Sequence, residues 1–152
     1  MAFRNEIHTE ATMEGSSEEV WSVLTDFPSY GEWNPGMGQV DGEAVVGTRL
    51  TIRFTPKGGR SMTIRPTVLT AEPDRELRWL GRLLVPGLFD GEHRFTIEER
   101  EPGRVTFVQA ERFRGLLVPF LRRVIEVDTL ATFRAVNEAL AVRVAELRAK
   151  TA

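Results

Sequence analysis

Beyond Pro119 the chain contains neither glycine nor proline, and a helical pattern runs to its end. Residues 119–150, about 32 of them at about 1.5 Å rise, would span about 50 Å as one helix, more than the width of a small domain. The rest must therefore wrap around this element. At about 100° per residue Phe133, Val136, Asn137, Leu140, Val144 and Leu147 share one stripe, opposed by Glu138, Arg143 and Glu146. The first half has its apolar residues, Phe120, Val124, Val127 and Ala131, almost opposite that stripe. Two outcomes follow. A bend or a break near Asp128-Thr129, the break capped by Asp128, would reset the phase. A continuous helix, favoured because no Gly or Pro interrupts it, would leave Phe120, Val124 and Val127 outside. It would also aim Arg122, Glu126 and Thr129 at the sheet, with Arg122 and Glu126 at a pocket mouth or neutralising each other as an i, i+4 pair. An exposed apolar strip needs cover from a loop, a membrane or a second subunit, and a homodimer through Phe120, Val124 and Val127 would supply it.

Everything before this helix reads as strands, apart from one short helical interlude. Residues 3–13 alternate, with Phe3, Asn5, Ile7, Thr9, Ala11 and Met13 on one face and His8 on the other, towards solvent. Ser16-Ser17-Glu18-Glu19 is a capping-box signature. A short helix follows, carrying Val20, Val23, Leu24 and Phe27 inward, and Tyr30 to Trp33 can add a turn before Asn34-Pro35-Gly36 ends it. A meander then runs from 39 to about 113. Its inward sets are Leu50, Ile52 and Phe54; Met62, Ile64 and Val68; and Leu77, Trp79 and Leu83. Pro66 marks an edge or a bulge, and Lys57 lies in a turn. This order predicts one domain over residues 1–152, of α+β class, with about six or seven antiparallel strands against a long C-terminal helix and short helices after the first strand.

The last hairpin carries the most chemistry. If its turn centres on Glu101, Phe95 opposes Phe107 and His93 opposes Gln109. His93, Gln109 and Glu111 then face inward among Phe89, Phe95, Phe107 and Phe113, with His93 and Glu111 as diagonal neighbours. A carboxyl beside an imidazole in apolar surroundings perturbs both and can supply an acid/base pair. A slip of one residue would turn all three outward.

Other chemistries find little support. The chain lacks cysteine, and its two histidines have opposite parity, so no metal site is expected. Its only lysines, Lys57 and Lys150, fall in a turn and the tail, which disfavours Schiff-base catalysis. Gly58-Gly59 and Gly36-Met37-Gly38 lack the following Lys-Ser/Thr of a phosphate loop, and there is no Gly-x-Ser-x-Gly elbow. A formal charge of −2 provides no field for nucleic acid or anionic membrane beyond a local patch. With no secretion signal and no membrane span, a soluble cytoplasmic protein is the expectation.

Val20-Trp21-Ser22-Val23-Leu24-Thr25-Asp26-Phe27 followed by Tyr30-Gly31-Glu32-Trp33-Asn34-Pro35 resembles the opening of the START-related helix-grip superfamily (SRPBCC). Residues 87–95, 113–119 and 133–140 are similar to its polyketide cyclase/dehydrase and lipid-transport branch. This resemblance implies a cavity for a hydrophobic or aromatic small molecule, lipid or polyketide-like, between sheet and C-terminal helix, and no cofactor. Trp33, Phe54, Trp79, Phe95 and Phe107 are its expected apolar walls, with Phe133 and Asn137 from the helix. His93, Gln109 and Glu111 are the expected polar groups, and no catalytic motif of the family transfers residue by residue. Binding or transport is the leading expectation. One alternative is a cofactor-free cyclase or dehydratase using His93 and Glu111, which needs the two buried and hydrogen-bonded to each other. Another is a protein-interaction domain of chaperone-activator type, marked by a filled core and an apolar surface patch.

Overall fold

The computed structural model describes residues 5–56, 58–82 and 85–151, so Phe3, Lys57 and Leu83 of the readings above lie outside the described residues. After β1 (Glu6–Glu14) come the helix α1 (Ser17–Thr25) and a 3-10 turn (Phe27–Glu32). The strands β2 (Met37–Asp41), β3 (Thr51–Phe54), β4 (Met62–Ile64), β5 (Thr67–Glu72), β6 (Glu76–Arg82), β7 (Asp90–Glu101) and β8 (Arg104–Arg114) follow, and the chain ends in α2 (Leu130–Thr151). One antiparallel sheet has the order β1-β8-β7-β6-β5 and the other β2-β3-β4. The described strands number eight because Arg65-Pro66 cuts in two the strand expected to carry Met62, Ile64 and Val68, proline having no N–H to donate. The Leu50 N–H donates to the Pro66 carbonyl at 2.8 Å and the Val68 N–H to the Thr48 carbonyl at 2.9 Å, which joins the two sheets at that corner. Like Asn5 just before β1, Met62 is exposed although its face is expected inside. It sits on the short edge strand β4, whereas α2 packs against β1, β8 and α1.

The capping box forms as spaced. Ser16 Oγ accepts the Glu19 N–H at 3.1 Å, and Glu19 Oε1 accepts the Ser16 N–H at 2.9 Å. Glu99 at the end of β7 adds a second cap, accepting the Ser17 N–H at 2.7 Å and the Gly103 N–H at 3.4 Å, and these two donors hold its carboxyl below the usual range. Replacing Ser16 with alanine should lower stability by about 1 kcal/mol in urea unfolding, with little change in the slope. The 3-10 turn buries Tyr30 completely, and its hydroxyl donates to the Leu24 carbonyl. The turn after it is closed by Asn34 Oδ1, which accepts the Gly36 and Met37 N–H groups at 3.0 and 2.8 Å.

The long C-terminal stretch is neither one straight α-helix nor two helices with a break. Helical backbone runs from 122 to 151, and Val124–Thr129 is wound as a π-helix. Eight residues at about 100° would put Ile125 about 80° round from Phe133, and a stretch with one additional residue per turn takes back most of that angle. Ile125 is thereby buried beside Phe133, while Val124 and Val127 stay exposed. Arg122 and Glu126 are exposed and paired at 3.1 Å, so the side-by-side neutralisation is the arrangement found and not a pocket mouth. Beyond the π-helix the stripe is as read: Phe133, Val136, Asn137, Leu140 and Val144 are buried.

Buried apolar side chains fall into two clusters. The larger lies under α1 and the meander and includes Val20, Leu24, Leu50, Trp79, Phe95, Phe107 and Leu140. The smaller, Ile7, Phe113, Val118, Ile125 and Phe133, is closed by the segment after β8, with Phe89, Leu121 and Leu130 at its margin.

Candidate functional site

The hairpin β7–β8 closes through Pro102-Gly103, with Gly103 at φ +78°, and a register shift falls between Glu99 and Glu101. Pairing is therefore displaced by two residues from a turn centred on Glu101. His93 faces Glu111 directly, Phe95 faces Gln109 and Ile97 faces Phe107. A shift of two keeps every side chain on its face and changes only its partner. Gly91, His93, Phe95, Ile97, Val105, Phe107, Gln109 and Phe113 are all buried, as their parity requires.

His93 is the centre of the group. Its ring stacks between Phe95 at 4.3 Å and Phe133 at 4.6 Å, and meets the Trp79 ring edge-on at 5.3 Å. Nε2 is 2.9 Å from Gln109 Oε1, and Nδ1 is 3.4 Å from Glu111 Oε1. Gln109 is fully buried, and its Nε2 donates to the Phe133 carbonyl at 3.3 Å and to Asn137 Oδ1 at 2.8 Å. Asn137 Nδ2 donates to Thr9 Oγ1 at 2.9 Å, and the Thr9 hydroxyl donates to the Gln109 carbonyl at 2.9 Å.

These bonds run in one direction. A backbone carbonyl can only accept, so the Phe133 contact fixes which end of the Gln109 amide is nitrogen. Gln109 Oε1 is then an acceptor towards His93, Nε2 carries the imidazole proton, and Nδ1 presents a lone pair to the Glu111 carboxyl. A lone pair facing a carboxyl favours its protonated form, and burial acts the same way. Burial pushes Glu111 up to about 8, and pushes His93 down to about 3 against the pull of its bond to Gln109. Near neutral pH the pair is an uncharged acid beside an uncharged imidazole. The Glu111 side chain keeps 17% of its surface, and Oε2 lies over Gly91, where an added Cβ would collide with it. Gly91 is thus the residue that makes room for the carboxyl.

The expected site residues separate into two groups. Trp79, His93, Phe95, Gln109, Phe133 and Asn137 form the centre, Glu111 adjoins it, and Phe107 touches it through Phe95 at 6.1 Å between rings. Trp33 and Phe54 lie elsewhere, at the margin of the larger cluster, where Trp33 packs edge-on against Tyr30 at 5.1 Å. Thr9 and Gly91 were missed as members, although both have inward parity, Thr9 on β1 opposite Gln109 and Gly91 on β7 with His93. The interior between sheet and α2 is occupied at this centre by the aromatic side chains themselves. Two recesses, of about 360 and 60 Å³, open against Glu6 and Arg112, and the smaller is also lined by Glu111.

Among the described residues no helix is long and apolar enough to cross a membrane. No curated protein matches the sequence. Solved structures share the fold at low identity. A START superfamily protein from Mycobacterium smegmatis is 18% identical, with a TM-score of 0.72 over 93% of this chain and 98% of that one. The Zhui aromatase/cyclase from Streptomyces sp. R1128 is 16% identical, with a TM-score of 0.75 over 91% and 92%. A hypothetical protein from Helicobacter pylori is 17% identical, with a TM-score of 0.76 over 92% and 88%. Sheet, gripped helix and buried polar centre thus stand in the helix-grip fold, and the model of one family spans residues 4–146: the chain belongs to the polyketide cyclase/dehydrase and lipid transport family.

Proposed function

We propose that the chain binds a hydrophobic or aromatic small molecule between its sheet and C-terminal helix, with Glu111 as the group that orients it. The observation that carries this reading is the Glu111 carboxyl 3.4 Å from His93 Nδ1, the His93 ring itself stacked on Phe95 of the larger apolar cluster and on Phe133 of the smaller. Placing a carboxyl and an imidazole in apolar surroundings is costly, and a protonated acid there is a hydrogen-bond donor suited to a carbonyl or hydroxyl on an otherwise greasy molecule. Room for the ligand has to come from displacing side chains of the smaller cluster, whose cover is the post-β8 segment and the π-helix. Incubation with a panel of fatty acids and polyketide-like aromatics, followed by native mass spectrometry and thermal melting, tests the reading. A ligand at about a hundredfold excess over Kd should add about 2.7 kcal/mol, or about 5–10 °C in Tm. No adduct and no shift across the panel would overturn it.

A dehydratase or cyclase is a second reading. It is supported by the 3.4 Å approach of His93 Nδ1 to Glu111 Oε1, although the two form no hydrogen bond, and by the Zhui neighbour, which is named an aromatase/cyclase. In such a step His93 Nδ1 would take the proton α to a carbonyl while Glu111 gives its proton to the departing hydroxyl, which leaves as water. A base held down to about 3 is weak for that task, which ranks binding first. A protein-interaction domain would account for a filled interior and an apolar strip, but it leaves the buried acid and imidazole without a role.

A further inference from the structure

The corner that closes the smaller cluster is built to be apolar outside as well as inside. Turn 85–89 and segment 115–117 are hydrogen-bonded to each other, Leu116 N–H to the Gly87 carbonyl at 3.1 Å and Leu117 N–H to the Leu88 carbonyl at 3.0 Å. Their approach depends on Gly115, at φ +131°, whose Cβ would run into the Leu88 backbone. From this corner project Leu116, 77% exposed, and Phe120, 83% exposed, with Val85 beside them and Val124 and Val127 on the π-helix behind. The π-winding turns Ile125 to the core and leaves Val124 and Val127 outside, where a straight helix would also have put them.

Charge is arranged around this tip. Between 112 and 123 the chain has four arginines, Arg112, Arg114, Arg122 and Arg123, and no acidic residue, although its formal charge as a whole is −2. Arg112 pairs with Glu6 at 3.3 Å and Arg122 with Glu126 at 3.1 Å. Arg114 and Arg123 are exposed and make no ion pair among the described residues. We propose that this corner docks on an anionic lipid surface, with Phe120 and Leu116 entering the acyl boundary and Arg114 and Arg123 meeting headgroup phosphates. Arginine suits that position because its stem lies along apolar surface while its guanidinium pairs with phosphate. A second copy of the chain fits less well: a two-fold contact on this strip would bring the arginines of one protomer against those of the other. The proposal stands apart from ligand uptake, since it concerns the outer face of the segment and needs no occupant inside.

Sedimentation with vesicles tests it, comparing phosphatidylcholine alone with the same lipid carrying about 30% phosphatidylglycerol, at low and high salt. The protein should pellet with the anionic vesicles, far less with the neutral ones, and be released by salt. Phe120→Ser should lower partitioning about tenfold or more, and Arg114→Glu and Arg123→Glu about fivefold each or more. All three sites are exposed, so melting temperatures near that of the parent would show that the variants fold. Absence of binding to anionic vesicles would overturn the proposal, as would equal binding by the parent and Phe120→Ser. A concentration-dependent dimer that Phe120→Ser dissolves, without vesicle binding, would do the same and assign the strip to a second copy.

Discussion

Between pH 6.5 and 8 the protein should lose about 2 kcal/mol of stability, and Glu111→Gln should remove most of that loss. Folding raises the Glu111 carboxyl from 4.5 to about 8, so between those values the folded state holds a proton that the unfolded chain has released. Stability therefore falls as pH rises through that window. His93 has the opposite sign. Folding lowers it from 6.5 to about 3, so the unfolded chain holds the extra proton and stability rises with pH between those values. From about 4.5 to 6.5 the two slopes oppose each other and stability is nearly flat, and above 6.5 only the Glu111 slope remains. On the acid side His93 acts together with Glu99, whose depressed carboxyl loses its contribution as pH falls, so that limb belongs to no single residue. The alkaline limb is the cleaner one. Glutamine at 111 is the uncharged image of the protonated acid, with an N–H to offer His93 Nδ1, so the variant should match the parent near pH 6 and exceed it by about 2 kcal/mol at pH 8. Urea unfolding at pH 6, 7 and 8 measures this. An unchanged limb in the variant would show that Glu111 is ionised in the folded protein, and with that the donor role proposed for it would go.

Strand parity was legible in the sequence because side-chain period is strict. The inward set of β1, β7 and β8 survives any even displacement, which is why the register change moved His93 from Gln109 to Glu111 without turning it outward. What parity cannot supply is the partner, because that depends on where the turn sits. Pro102-Gly103 forms a two-residue loop, and the shift at Glu99/Glu101 takes up the mismatch. The phase conflict at Val124 and Val127 was equally visible. Its resolution was not, since α- and π-winding differ in backbone hydrogen bonding and no residue type marks the choice. Likewise the stripe on α2 placed Phe133 and Asn137 inside, but how closely the sheet closes on them is set by packing of Trp79, Phe95 and His93. Thr9 shows the remaining gap: a threonine with inward parity reads as a tolerated strand former until Asn137 and the Gln109 carbonyl are found beside its hydroxyl.

The largest single effect is expected at Gln109. Leucine there should cost about 3–5 kcal/mol and lower Tm by about 10 °C, because it keeps the volume and removes every polar contact at the hub. His93 Nε2–H and Asn137 Oδ1 would each lose their partner inside the core, and the Phe133 carbonyl would lose its side-chain donor. Buried groups left without partners account for more of this cost than the lost bonds themselves. Adding His93→Phe to Gln109→Leu separates the two contributions. The single His93→Phe change orphans Gln109 Oε1, whereas in the double variant neither group remains to be satisfied, and phenylalanine can occupy the stack between Phe95 and Phe133. The double variant should therefore be more stable than the sum of the single losses by about 1–3 kcal/mol. Strict additivity would mean that His93 and Gln109 are not coupled in the folded protein. The one-directional chain that leaves Nδ1 facing Glu111 would then have no basis, and the orientation of any ligand would have to come from the aromatic walls alone.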